Sequence, residues 1–452
     1  MKIYMTVKDK YDLSLESRSK NHYRNFWLYI LYILILSLFL CTLFEKQADS
    51  SGIRGIWIAT IFGLDWPHSS SSTSFFRTSI DRRIKQQKNS LIKKLNSLRK
   101  IGINTIFFQV KPDGTSLYRS RILPWSNVLT GKIGKDPGYD PLKFIIKEAH
   151  KRNLKIHAWL NPYRVSTKTD SKTISSLKDT AFSCLPSVYV KHNNWIKISH
   201  NQFVLDPGLP EVRKWIIKIV EEIVKFYDVD GIHFDDYFYY EDSFSKLEDD
   251  DTYYKYSNRF SNKENWRRNN TFLLVREVYK KVHAIKPNVK FGVSPMGIWR
   301  NVGNDPSGSN TDSKNSSYDS CYADIKLWIK SGILDYVIPQ IYWSSSYKIA
   351  KYNVLVKWWA DLIKSSRTKL CIGLALYKAG TYSLKEPDWF ENYGITEIKK
   401  QLDFNDNISE IDGVVLFRES FLTSSSKISK KIVEYLQKRW KVNKRNNFNS
   451  PV

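Results

Sequence analysis

Cysteine is scarce in this chain. Its 452 residues hold four, Cys41, Cys184, Cys321 and Cys371, with no Cys-x-x-Cys spacing among them. That excludes a zinc ribbon and makes a disulfide framework a poor expectation. No Gly-x-Ser-x-Gly elbow, His-Glu-x-x-His pair or phosphate-binding Gly-x-x-x-x-Gly-Lys loop occurs, so three common enzyme chemistries lose their signatures. Acidic residues are also few, 45 against 71 lysines and arginines, for a net charge of +26. Such a balance suits an anionic partner. The lysines are dispersed, however, and no zinc-finger, homeodomain or RNA-recognition pattern accompanies them, so no nucleic-acid partner is expected. Neither a metal nor a cofactor is expected.

Apolar residues make up 42% of the chain and aromatics 14%, including 15 Trp and 27 Tyr. The first figure suffices for a large core. The second supplies rings for that core and, at a surface, for stacking on sugar faces. The longest uncharged apolar run is Phe26–Phe44, 19 residues, enough for a membrane-spanning helix. Six basic residues and three acidic ones precede it. The positive-inside rule keeps such a segment in the cytoplasm and sends the rest of the chain outward. The expected organisation is a cytoplasmic basic segment (1–25), a transmembrane or signal-anchor helix (26–44), a linker (45–52), one domain (53–440) and a basic polar tail (441–452). A cleaved signal lacks its small-residue site. A lipoprotein through Cys41 has weak support, because Leu38-Phe39-Leu40 precede that cysteine. The expected location is the cell envelope, with the domain outside the cytoplasm.

Past residue 52, short apolar runs alternate with amphipathic ones. The strand-like runs are Gly55–Thr60, Thr105–Val110, Lys155–Leu160, Gly231–Phe234, Lys290–Ser294, Asp335–Ile341, Lys369–Leu376 and Gly413–Phe417. Each is followed by a helical pattern, as in Val212, Ile216, Ile219, Val220 and Ile223 behind Pro210. Eight such pairs predict an α/β fold, a (β/α)8 TIM barrel with long strand-to-helix loops. An open doubly wound sheet is less favoured, since no glycine-rich turn follows a strand. Long insertions at 167–202, 239–265 and 301–317 lie on the face that would carry a site.

In such a barrel the strand C-termini build the site. The run Asp230-Gly231-Ile232-His233-Phe234-Asp235-Asp236-Tyr237 delivers two carboxylates there. Candidate catalytic groups are Asp235, Asp236, Asp113 and Glu419. Candidate substrate-binding groups are Trp66, Gln109, Lys111, Asn161, Tyr163, Arg164, His233, Tyr237, Trp299, Arg300, Gln340, Tyr342, Trp343 and Tyr377. Carboxylates, amides, arginines and rings converging on one mouth suit glycoside hydrolysis, in which carboxyl groups act as nucleophile or base and as acid. Adjacent strand residues point to opposite faces, so one aspartate of the pair is expected to enter the mouth, with His233 on the same face as Asp235.

Several motifs in order carry a resemblance. Arg54-Gly55-Ile56-Trp57, Phe108-Gln109-Val110-Lys111-Pro112-Asp113-Gly114, His157-Ala158-Trp159-Leu160-Asn161-Pro162-Tyr163-Arg164, Leu205-Asp206-Pro207-Gly208, Gly292-Val293-Ser294-Pro295 and Pro339-Gln340-Ile341-Tyr342-Trp343, with the aspartate run, resemble the glycosyl-hydrolase-like 10 family. The resemblance spans residues 53 to about 420. It implies a barrel glycosidase of the bacterial envelope, some relatives of which cut peptidoglycan strands lacking stem peptides. It also implies a catalytic role for Asp235 or Asp236. Relatives often carry an acid after the tryptophan matching Trp343, where this chain has Ser344-Ser345-Ser346. A non-catalytic glycan-binding barrel is therefore the alternative. A chitinase arrangement is not expected, because Tyr237 stands where that signature has its glutamate. Oligomeric state is not legible in the sequence.

Overall fold

The computed structural model describes residues 27–33, 52–68, 79–179, 185–239, 245–257 and 260–440. Two compact units, Met1–Gly52 and Ile53–Val452, divide the chain. Within the first, 27–33 is helical, and the rest of the expected membrane helix lies outside the described residues, as do Cys41, Cys184 and the tail from 441. No helix among the described residues is long and apolar enough to cross a membrane.

The second unit is a closed, all-parallel barrel. Its strands are β1 (Ile53–Ile58), β2 (Thr105–Lys111), β3 (Lys155–Leu160), β6 (Gly231–Phe234), β7 (Lys290–Val293), β8 (Tyr336–Val337), β9 (Lys369–Ala375) and β10 (Ile411–Phe417), each paired with the next and β10 with β1. The remaining strands, β4 (Ile196–Ser199) and β5 (Gln202–Leu205), form an antiparallel hairpin inside the insertion after β3. Its two-residue turn uses His200 and Asn201, both with positive φ, the backbone twist such turns demand.

A helix follows each barrel strand: α1 (Ile80–Ile101), α2 (Pro141–His150), α3 (Pro210–Phe226), α4 (Lys263–Ile285), α5 (Ile325–Lys330), α6 (Tyr352–Ile363), α7 (Tyr393–Asp406) and α8 (Lys427–Arg439). Local chemistry sets several ends. Ser79, Asp140, Asn262, Asp324 and Ser426 cap N-termini through their side chains. Gly102 closes α1 at φ 104°. Strand β8 is shorter than the expected 335–341. Pro339 has no N–H to give the ladder, and pairing resumes at Gln340 only as isolated bridges to Met296 and Gly373.

Alternation along the strands divides the core in two. One set, including Ile56, Ile58, Ile106, Phe108, Ile156 and Ile232, packs between sheet and helices. The other, Trp57, Ala59, Phe107, Trp159, Tyr336, Ile338, Cys371 and Val415, fills the barrel. Large rings fit inside because glycines face them. A Cβ on Gly231 would stand 2.3 Å from the His157 ring, and one on Gly292 would stand 2.3 Å from the Tyr336 ring. The two histidines of this interior, His157 and His233, bond to the Tyr336 hydroxyl. Burial drives both toward the neutral form, His157 down to about 4.

Candidate active site

Above this packed interior, at the strand C-termini, the barrel opens into a cavity of about 480 Å³. Its walls include Trp57, Ala59, Gln109, Trp159, Arg164, Asp235, Asp236, Tyr237, Ser294, Gln340, Tyr342, Tyr377, Phe417, Arg418 and Phe421. Among the described residues, Asp235 and Asp236 are the only carboxylates that line it.

A relay of amides fixes Asp235. The backbone N–H groups of Thr60 and Ile61 both donate to Gln109 Oε1, at 2.8 and 2.9 Å. That settles which end of the Gln109 amide is oxygen. Its Nε2 then donates to Asn161 Oδ1 at 2.7 Å, and Asn161 Nδ2 donates to Asp235 Oδ2 at 2.8 Å. The other Asp235 oxygen accepts from the Asp236 backbone N–H at 2.9 Å and, at 3.5 Å, from Gln340 Nε2, which also bonds the Ser294 carbonyl.

Asp236 is held differently. Its carboxyl is buried beside that of Asp235 in the cavity wall. Its Oδ1 is buried with no partner among the described residues. Burial first, and then the charge of Asp235, push Asp236 well above the ordinary carboxylate range. The two carboxyl groups are thus held unequally in a small volume. The expected split to opposite faces does not occur, because β6 ends at Phe234 and both aspartates sit in the turn beyond it, where strand alternation no longer applies.

Aromatic rings form the opposite wall. Tyr342 stacks on Phe417 at 5.8 Å, and Tyr377 meets both edge-on at 6.0 and 6.1 Å. Tyr237 is 42% exposed with the Arg164 guanidinium over its ring at 5.5 Å. Arg418 is tied to the fully buried Asp65. Asn161 does not line the cavity but acts through Asp235.

Other candidates stand elsewhere. Trp66 is wholly buried, its indole N–H on the Gln87 carbonyl, and Tyr163 is buried in the outer core. Trp299 stacks on Trp358 at 5.8 Å and bonds Asp324; Arg300 pairs with Asp319. Trp343 packs partly buried against the core. His233 bonds Ser294 Oγ at 3.0 Å and the Trp57 indole at 3.2 Å rather than an aspartate. Asp113 closes its own turn through Thr115, and Glu419 is buried against Lys94. Lys111 is fully buried and donates to the carbonyls of Asn161, Pro162 and Arg164; burial brings it down to about 7. It shapes the loop that carries Asn161 and Arg164. The serines after Trp343 bond acids of a later loop and helix: Ser344 N–H to Glu386, Ser345 to Glu397, Ser346 to Asp388.

Trp57, Ala59, Trp159, Phe417 and Phe421 line the cavity without having been singled out. For Trp57, Ala59 and Trp159 the signal was present: counting by twos along β1 and β3 puts them on the inward face.

The profile of the glycosyl hydrolase-like 10 family matches residues 52–391. Glycosyl hydrolase DigH of Escherichia coli (strain K12) is 52% identical over 394 residues, covering 87% of this chain and 88% of that protein. Glycosyl hydrolase YngK of Bacillus subtilis (strain 168) is 40% identical over 376 residues, 82% of this chain and 69% of that one. Among solved structures, the catalytic domain of beta-amylase from Paenibacillus polymyxa superposes with a TM-score of 0.48 at 11% identity, covering 78% of this chain and 95% of that one. With its motifs in order on a closed barrel and a carboxyl pair in the mouth, the chain belongs to the glycosyl hydrolase-like 10 family.

Proposed function

We propose that this glycoside hydrolase cuts a polysaccharide of the bacterial envelope, with peptidoglycan strands lacking stem peptides as the favoured substrate, and that Asp235 and Asp236 carry the reaction. The observation behind the roles is the unequal treatment of the two carboxyl groups. Asp236, kept protonated by burial and by its neighbour, gives its proton to the leaving glycosidic oxygen. Asp235, oriented by Asn161, Gln340 and a backbone N–H, faces the positive charge that develops at the anomeric carbon. Gln109, Asn161 and Gln340 orient the pair. Tyr342, Tyr377, Phe417 and Tyr237 offer faces for sugar rings, and Arg164 and Arg418 offer charged donors. The substrate class follows the family resemblance. An outward-facing domain tethered by the apolar run 26–44 would meet that substrate.

The full chain, incubated with peptidoglycan strands with and without stem peptides, should release new reducing ends from the bare strands. Asp235→Asn and Asp236→Asn should each reduce release by about 10²–10⁴-fold while keeping glycan binding. Binding by the wild type with no new ends would make the chain a glycan-binding barrel instead. Undiminished activity in both variants would remove the roles given to the pair.

A further inference from the structure

Two-carboxylate glycosidases need distance between their groups. A retaining enzyme keeps acid and nucleophile about 5–5.5 Å apart, and an inverting one about 6.5–9.5 Å, so that the scissile bond or a water fits between. Here the two carboxyl groups belong to adjacent residues that line the same cavity. Gln340 donates to Asp235 at 3.5 Å, and Asp235 folds back onto the backbone N–H of Asp236 at 2.9 Å. Side by side on one turn, both would meet a sugar in the cavity from the same side. Among the described residues no other carboxylate lines the cavity. Asp65 and Glu419 are fully buried against Arg418 and Lys94, and Asp113 is occupied by Thr115. Among the described residues the arrangement holds two adjacent carboxyl groups and no third one placed as a nucleophile across the bond.

We infer that the nucleophile belongs to the substrate: the chain cleaves at sugars bearing a 2-acetamido group, whose carbonyl oxygen attacks the anomeric carbon. This rests on the glycosidase reading above and gives its pair a mechanism. As the acetamido oxygen bonds to C1, the glycosidic C–O bond breaks and its electron pair leaves with the oxygen, which takes the Asp236 proton. The product is a cyclic oxazolinium, whose N–H donates to the Asp235 carboxylate. Water then attacks C1 and gives a proton to Asp236, the ring C–O bond opens, and the acetamido group is restored. Two displacements at C1 retain its configuration.

The surroundings fit. Ala59, Trp57 and Trp159 give the cavity an apolar wall for the acetyl methyl. The Trp159 indole N–H, buried and without a partner among the described residues, belongs to the same wall. Tyr237, in the position where a chitinase signature has its acid, is not required to act, because its neighbour Asp236 supplies the proton.

The test uses one wall glycan in two forms, N-acetylated and chemically de-N-acetylated, with the full-length protein. The acetylated form should be cut at least about 10²-fold faster, and magnetic resonance should show the first-formed reducing end with the configuration of the broken bond. A thiazoline analogue of the cyclic intermediate should inhibit, and should bind Asp235→Asn at least about tenfold more weakly, one lost charged hydrogen bond, in protein whose melting temperature matches wild type. Equal rates on both glycans, an inverted product or a sugar trapped covalently on any carboxylate of the chain would overturn the inference. If neither glycan is cut, the proposed substrate is wrong and thiazoline binding decides alone. Tight binding lost in Asp235→Asn sustains the inference, and no binding ends it.

Discussion

Asn161 and Lys111 show how much of the site depends on side chains that need not touch a sugar. Asn161 can orient Asp235 only because Gln109 is itself locked by two backbone N–H groups. Asn161→Ala should lower kcat by about 10–100-fold with KM nearly constant, as expected for a group that acts through the reacting carboxylate; steady-state kinetics on bare strands would show it. Lys111→Met leaves three buried carbonyls without their shared donor and should cost about 1–3 kcal/mol in urea unfolding. The sign of its pH dependence is set by burial. The folded lysine gives up its proton near 7, while the unfolded chain keeps it to about 10.4. Wild type should therefore gain stability over the variant as pH rises between those values. Asp236 controls activity in the opposite sense. It must carry its proton to act, so turnover should fall as pH rises through its raised pKa. The residue types were legible in the sequence, but position after a strand end was a poor guide. Trp66 and Trp299 follow strand ends as Tyr237 does, yet their indoles turn into packing, and burial and partners tell these apart.

At the scale of elements, eight strands and their helices were readable from periodicity, since buried parallel strands must be short, apolar and bounded by turns. What periodicity missed has local causes. The β4–β5 hairpin turns on His200-Asn201 instead of a glycine pair, and its strands are only four residues each. β8 looked longer than it is because Pro339-Gln340-Ile341 continues an apolar run without continuing the ladder. The two aspartates were expected on opposite faces by strand alternation, which ends one residue too early to apply. The same alternation explains why glycines recur inside the barrel. Gly231→Ala should destabilise by about 1–3 kcal/mol, because its Cβ would press on the His157 ring. Adding His157→Ser should recover part of that loss, measured as a double-mutant cycle by denaturant unfolding.

For the whole molecule, an excess of basic residues and an apolar N-terminal run accompany a barrel whose mouth holds two acids. If the proposed wall substrate is right, the charge would add to binding of anionic wall fragments and that part should weaken as salt rises, whereas aromatic stacking in the cavity should persist. Association with wall fragments at low and high salt would separate the two. The family resemblance and the proposed tether concern where the enzyme works; the carboxyl pair concerns what it does. The most direct measurement of the latter compares Asp236→Asn on bare glycan strands and on an aryl glycoside of the same 2-acetamido sugar with a good leaving group. A group that protonates the leaving oxygen matters little when that oxygen needs no proton. Because Asp236 also takes the proton of the attacking water, the comparison is of kcat/KM, which reports the bond-breaking step: it should fall at least about 10²-fold on the strands and stay within about tenfold of wild type on the aryl glycoside. Equal losses on both substrates would contradict the assignment of Asp236 as the acid.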